Sequence, residues 1–335
     1  MRNKHFIRAI GFVNMYQQVC KKYRINPDQL SLAPSVFRSP MTLIPVSELN
    51  LLFRELETLS GDPDYIINMI TELKMFELGA IGRWMFSGHD LASTIRRINY
   101  GSSCLQSGAY MAGSQVGSIV KWTYSNPFVE SDVKIHDSAR VAAFMLNVMR
   151  IHLGEAFTPM RVMLSGTRKN KQAYNEYFGC EIGWNHNRTE LWFHSDLRLA
   201  TKQHELVPKQ KLAMSFQDLD EFLNLPQSED EMKVIYEVIN YSCHYGLPTL
   251  NRVASLLGLS EQQFQRRLHK QGLNFTTICG YVMSNAAVNL LAESVPINEV
   301  AQRLGYSNVE SFNRMFKKHR GVTPSQYIQR FQGYF

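Results

Sequence analysis

"VASLLGLSEQQFQRRLHKQG" (residues 253–272) returns, with one insertion, as "VAQRLGYSNVESFNRMFKKHRG" (300–321). Val253-Ala254 matches Val300-Ala301, Leu257-Gly258 matches Leu304-Gly305, and Ser260 matches Ser307. One residue later in the second copy, Phe264 matches Phe312, Arg266 matches Arg314 and Leu268 matches Phe316. Each copy predicts a helix, a turn at glycine and a second helix. Gly258 and Gly305 stand where the first helix must stop, a place that favours positive φ. Ser260 and Ser307 read as N-caps, with Gln263 and Glu310 at capping-box spacing. Phe264 with Leu268, and Phe312 with Phe316, fall at i and i+4 and pin one face to a core. The opposite face carries Gln262, Gln265, Arg266 and His269 in one copy, and Val309, Asn313, Arg314 and Lys317 in the other. Amide and guanidinium groups match adenine and guanine edges in a DNA major groove.

Charge points the same way. The chain has 36 Lys and Arg, 29 Asp and Glu, and a formal net charge of +7. Residues 241–335 hold ten of those cations against four acids, Glu261, Glu293, Glu299 and Glu310. Nearly all of the excess therefore lies around the repeat, as a polyanion partner requires.

Between the two copies runs "QGLNFTTICGYVMSNAAVNLLA" (271–292), without a single Asp, Glu, Lys or Arg. It could be a membrane span, a core helix or an interaction surface. As a span it is spoiled by Gln271, Asn274, Thr276, Thr277, Ser284, Asn285 and Asn289, which are costly in hydrocarbon. Its position makes it a linker helix, and Phe275, Ile278, Val282, Ala286 and Leu290 form the predicted buried stripe.

The stretch "RLGYSNVESFNRMFKKHRGVTPSQY" (303–327) resembles the signature of the AraC/XylS family of bacterial transcription regulators. The resemblance covers roughly residues 229–331. It implies an all-α C-terminal domain with two helix-turn-helix units joined by a linker helix. Both recognition helices are expected in successive major-groove segments. Carried onto this chain, the base readers are Gln262, Gln265 and Arg266, then Glu310, Asn313 and Arg314. Arg267, Lys317, Lys318 and Arg320 are expected on phosphates, which position without specifying. Gly321 should end the second recognition helix, with Thr323 capping the next one, Pro324 in its first turn, and Tyr327 and Phe331 folding back onto the core. One departure stands out. The family's linker helix usually carries charges, with an Arg near its middle, where this chain has Met283. Gly280 is also a weak helix former, costing about 1 kcal/mol against Ala. The neutral outer face around Tyr281, Met283 and Asn285 is then expected to dock on the N-terminal domain, so that Met283→Arg would alter regulation.

The first two-thirds predict an α+β domain with a small sheet. Helical patterns fall at 5–24, 46–60, 62–78, 90–100 and 137–153, and a short one at 170–179. Strand patterns fall at 107–124, as a hairpin turning near Gly113-Ser114, and at 160–166, 180–184 and 190–195. Residues 78–101 and 177–197 resemble the effector domain of the ornithine-utilisation type of AraC regulators, labelled arabinose-binding by analogy. They do not resemble the cupin barrel of the arabinose regulator, so the label names no ligand. The expected division is an effector or dimerisation domain at 1–205, a linker at 206–228 and a DNA-binding domain at 229–335. Trp122, Tyr124, Trp184 and Trp192 are candidates for lining an effector pocket, although aromatics at strand spacing are more often core.

Other chemistry finds little support. The N-terminus lacks a signal-peptide apolar region, so the protein is expected in the cytoplasm. Cys20, Cys104, Cys180, Cys243 and Cys279 are scattered, without a C-x-x-C pair, and read as buried reduced thiols. His186, Glu190 and His194 have no metal-ligand spacing, so no metal or cofactor is expected. Neither a reactive cysteine motif nor a catalytic constellation is present, so a DNA-repair enzyme fused to this module is disfavoured. The expected partners are double-stranded promoter DNA, RNA polymerase by resemblance, a small-molecule effector and a second copy of the chain. A ligand-independent regulator is the alternative.

Overall fold

The structure is a computed structural model that describes residues 3–69, 78–202 and 214–331. It mixes helices with two small sheets and separates into two compact units, one spanning His5–Leu225 and the other containing Pro226–Phe335.

In the N-terminal unit β1 (Phe6–Arg8) pairs antiparallel with β2 (Leu43–Pro45), and α1 (Val13–Tyr23) and α2 (Pro34–Arg38) lie between them in sequence. Helices α3 (Val46–Ser60), α4 (Tyr65–Met69), α5 (Gly79–Met85) and α6 (Leu91–Leu105) follow. Then come β3 (Tyr110–Val116), β4 (Ile119–Ser125), α7 (Lys134–Leu153), β5 (Arg161–Met163), α8 (Lys171–Phe178), β6 (Ile182–Gly183), β7 (Thr189–His194) and α9 (Phe216–Leu223). The second sheet has the order β3-β4-β7-β5-β6, antiparallel except for the β5–β6 pair. Strand β7 alternates: Thr189, Leu191 and Phe193 are buried, and Glu190, Trp192 and His194 are half-buried. That period of two gives the sheet one core face. Helix α7 has buried residues around most of its circumference, as expected of a helix at the centre of a domain.

Three expectations change here. Residues 6–8 are a strand, not the start of a helix, because Phe6 and Ile7 take partners in β2. The hairpin turns at Gly117-Ser118, with Val116 opposite Ile119 and Gly117 at φ 59°. A glycine with positive φ at the first position of a two-residue loop is the type II′ pattern. The polar stretch assigned to the linker contains α9, which packs on α6 within the N-terminal unit. Residues 70–77, within the helix expected at 62–78, and 203–213, within and just before the expected linker, lie outside the described residues, as does the Phe331 side chain.

The C-terminal unit is helical throughout its regular structure. It contains α10 (Glu231–Ser242), α11 (Leu250–Leu257), α12 (Glu261–Lys270), α13 (Phe275–Ala292), α14 (Ile297–Arg303), α15 (Val309–Arg320) and α16 (Pro324–Phe331). Helix α13 is the neutral run, and it packs against α10, α14 and α15. Its length and apolarity would suit a membrane crossing, yet Ile278, Cys279, Val282, Met283, Ala287 and Leu291 are buried inside this unit. The stripe is rotated from the predicted one: Phe275, Ala286 and Leu290 are only half-buried. Met283 is 2% exposed and contacts Cys279 and Tyr306, so it is core and not an outer-face residue.

Two glycines set the packing. A Cβ on Gly280 would come within 2.2 Å of His319 Nε2, so the weak helix former is what lets α15 approach α13. At Gly305, φ is 82° and a Cβ would lie 2.4 Å from the backbone nitrogen of Leu247. The turn between α14 and α15 therefore rests on the chain leading into α11. Asn285 adds a polar bracket. Its Nδ2 donates to Tyr236 Oη on α10 at 2.7 Å, and its Oδ1 accepts from the Arg320 guanidinium on α15.

Candidate nucleic-acid interface

Helix α11 ends at Gly258, which is left-handed at φ 65°. Ser260 then caps α12: its Oγ accepts from Gln263 N at 3.2 Å, and Gln263 Oε1 accepts from Ser260 N at 2.9 Å. Phe264 and Leu268 are buried, while Gln262, Gln265, Arg266 and His269 are exposed. Among the described residues, Gln262, Gln265 and Arg266 hold no side-chain partner, so their polar ends are available to a ligand.

The second pair follows the same plan with one shift. Asn308, not Ser307, caps α15, and its Oδ1 accepts from Ser311 N at 2.8 Å. The insertion thus falls in the turn, before the cap. Ser260 corresponds to Asn308, and Glu310 is released from the capping role. Counted from the caps, Gln262, Gln265 and Arg266 correspond to Glu310, Asn313 and Arg314. The six predicted readers are three equivalent pairs. Glu310 and Arg314 are exposed, and Arg314 Nη2 donates to Ser311 Oγ at 3.0 Å. Asn313 is half-buried, with its Oδ1 unpartnered among the described residues.

The predicted phosphate contacts divide. Lys317 and Lys318 are exposed on the last turn of α15, where cations also complement the helix dipole. His319 beside them is held below the usual imidazole range by burial, then by Lys318 and Arg320. Arg267 instead pairs with Glu231 at the start of α10, and Arg320 is tied to Asn285. Both arginines brace the helical unit. The last helix follows expectation: Gly321 is left-handed at φ 76°, Thr323 and Gln326 form a reciprocal cap, and the Tyr327 ring meets Phe316 edge-on at 5.6 Å.

In the N-terminal unit the four candidate aromatics do not converge. Trp122 is fully buried on the inner face of β4, and its Nε1 donates to Asn99 Oδ1 at 2.8 Å. Trp184 meets Tyr174 edge-on. Trp192 lies on the outer face of the sheet beneath the Lys121 ammonium, 4.0 Å from its centroid. Of the four, Tyr124 lines a cavity of about 320 Å³ whose apolar walls include Ile7, Met85, Leu105, Met111, Val141 and Phe144. Sequence reading missed its polar wall. Tyr124 Oη donates to Asp137 Oδ2 at 2.7 Å, Gln106 Nε2 donates to Tyr124 Oη at 3.1 Å, and Arg140 Nη2 donates to Asp137 Oδ1 at 2.7 Å. The one available signal was an acid and a base, three residues apart, inside an apolar helical run. Cys180 is half-buried and the other four cysteines are buried. Burial raises all five thiols, Cys243 to about 12, which disfavours thiolate chemistry. His194 pairs with Asp196 and His186 with the Arg188 carbonyl.

These features define a helix-turn-helix regulator, and comparisons with known proteins agree. Residues 253–330 match the helix-turn-helix domain family. Residues 28–200, just over half of the chain, match the family described as the arabinose-binding domain of AraC transcription regulator, N-terminal. The chain belongs to the AraC family of transcription regulators, a family of regulators and not of enzymes. The uncharacterized HTH-type transcriptional regulator Rv1395 of Mycobacterium tuberculosis is 37% identical over 84 residues, 25% of this chain and 24% of that one. The HTH-type transcriptional activator CfaD of Escherichia coli is 37% identical over 86 residues, 25% of this chain and 32% of that one. The HTH-type transcriptional regulator RipA of Corynebacterium diphtheriae is 29% identical over 124 residues, 37% of this chain and 36% of that one. The matches thus span between about a quarter and just over a third of these relatives' lengths. The crystal structure of transcriptional regulator CdpR from Pseudomonas aeruginosa covers 94% of this chain and 98% of that one, at 18% identity and a TM-score of 0.40.

Proposed function

We propose that the protein is a sequence-specific, cytoplasmic transcription activator that reads promoter DNA with two helix-turn-helix units, α11–α12 and α14–α15, strutted by α13. Gln262, Gln265 and Arg266, and their counterparts Glu310, Asn313 and Arg314, read bases. Lys317 and Lys318 hold phosphates. The observation that carries this reading is the pair of capped second helices, each burying a phenylalanine face and bearing an equivalent polar triplet, exposed except at half-buried Asn313. The N-terminal part senses a small molecule and forms a homodimer, and the DNA-bound protein recruits RNA polymerase. The DNA-binding domain keeps its expected limits, and the effector domain extends beyond its expected end at 205 to include α9.

The test is binding to a promoter fragment recovered by genome-wide footprinting. Affinity should fall steeply with salt as counterions are released. Arg266→Ala and Arg314→Ala should each cost about 1–3 kcal/mol and relax specificity at one base pair. Unchanged site selection in both variants would refute the reader assignment.

A further inference from the structure

The cavity in the N-terminal unit has a chemistry that its family label does not give. Its lining includes two guanidiniums, Arg8 and Arg140, and no carboxylate among the described residues; Asp137, which Tyr124 and Arg140 bond, is not itself in the lining. Arg140 is held on two sides. Its Nη2 donates to Asp137, and its guanidinium carbon lies 4.3 Å from the centre of the Phe12 ring. Its Nε–H is buried and has no hydrogen-bond partner among the described residues. A buried donor left unmade costs about 1–3 kcal/mol, which a ligand acceptor would recover. The guanidinium fork suits a carboxylate in particular.

Three of the remaining polar side chains are already engaged. Gln106 donates to Tyr124, Tyr124 donates to Asp137, and Ser102 Oγ donates to the Met111 sulfur at 3.1 Å. A pentose brings several hydroxyls, each needing a partner, and beyond the Asn14 and Gln17 amides this wall has few to offer. Apart from the amides of Asn14 and Gln17, the rest of the lining is glycine, proline, aliphatic, thioether or aromatic. At about 320 Å³ the cavity is at the small end of the range of roughly 300–1,000 Å³ for ligand pockets.

We propose that this cavity binds a small monocarboxylate with an apolar body, its carboxylate on Arg140 and its body against the walls from α6, α7 and β3. The assignment rests on the reading of the N-terminal unit as an effector domain. The experiment is calorimetric titration of the full-length protein with sodium octanoate, octan-1-ol, octylamine and L-arabinose. Octanoate should bind at least tenfold more tightly than octan-1-ol, and octylamine more weakly than either. Arg140→Met should erase the tenfold difference while leaving octan-1-ol binding intact. The wild-type order stands as a test even where that variant fails to fold. Equal binding of octanoate and octan-1-ol, binding of L-arabinose alone, or no binding by any probe would overturn the proposal. The footprinted promoter fragment separates the two readings. Octanoate that binds yet leaves DNA affinity within twofold upholds the ligand class and defeats its role as effector. L-arabinose that alone binds and shifts DNA affinity tenfold defeats the ligand class and upholds effector control.

Discussion

Gly305→Ala should destabilise the C-terminal unit far more than Gly321→Ala, although both glycines end or follow a helix in the left-handed region. Gly305 has φ 82° and Gly321 has φ 76°, so the intrinsic cost of placing alanine there is the same, about 1–2 kcal/mol. Their surroundings differ. A Cβ on Gly321 meets nothing within 4 Å, whereas one on Gly305 falls 2.4 Å from Leu247 N and 2.8 Å from two backbone carbons of Gly246. Backbone has no rotamer to turn away, so the loop must move. Overpacking of this kind adds about 1–3 kcal/mol. The expected losses are about 1–2 kcal/mol for Gly321→Ala and about 2–5 kcal/mol for Gly305→Ala. Urea unfolding followed by far-ultraviolet circular dichroism measures both. All four tryptophans, Trp84, Trp122, Trp184 and Trp192, lie in the N-terminal unit, so their fluorescence supplies an internal control in the same titration. The fluorescence transition should stay fixed while the Gly305→Ala helical transition moves. Equal midpoints for the two variants would refute the claim that the second turn bears rigidly on the chain entering α11.

Two further outcomes follow from burial. Met283→Arg should cost about 3–5 kcal/mol by placing an unpaired charge in the core between α13 and Tyr306, seen as loss of the C-terminal helical transition; a folded variant with changed regulation alone would restore the outer-face reading. His136 is 2% exposed and its imidazole is pushed down to about 4, first by burial and then by Arg168. Between pH 6.5 and 4 the unfolded chain binds a proton that the folded chain does not, so stability falls as pH falls through that window. Linkage gives about 2 kcal/mol lost between pH 7 and pH 5 from this residue. Tryptophan-monitored unfolding at the two pH values should show a shallower dependence in His136→Gln, and an unchanged slope would refute the assignment.

Much of the C-terminal half was legible because its signals are local. Gly258, the Ser260–Gln263 cap and the Phe264–Leu268 spacing each lie within one turn of what they control. The second cap was misread for the same reason. Ser307 and Asn308 are both good caps, and only the position of the inserted residue, set by how the turn packs, selects Asn308. The hairpin posed an equal choice between Gly113-Ser114 and Gly117-Ser118. Pairing of β3 with β4 decides it, since Gly113 and Ser114 stand opposite Trp122 and Lys121 inside the ladder, which closes at Val116 and Ile119. The pocket was least legible. Trp122 and Tyr124 share a strand face, but Trp192 sits on the other face, and Arg8 and Arg140 are 132 residues apart in a chain whose topology alone brings them to one wall.

The neutrality of α13 within the most basic part of the chain has a physical cause in its neighbours. Helix α15 ends with Lys317, Lys318, His319 and Arg320, and it packs on α13 where Gly280 removes the side chain that would hold it off. A cation on the facing side of α13 would meet that cluster at short range and in partial burial, where repulsion is weakly screened. Asn285 supplies what the site can accept: a neutral oxygen for Arg320 and a donor for Tyr236. The missing charge and the mid-helix glycine, which look like two separate departures in the sequence, are then one adaptation. Helix α13 joins α10 to α15 through one polar side chain, Asn285, and Lys317 and Lys318, exposed on α15, remain available to the phosphates of the proposed DNA partner.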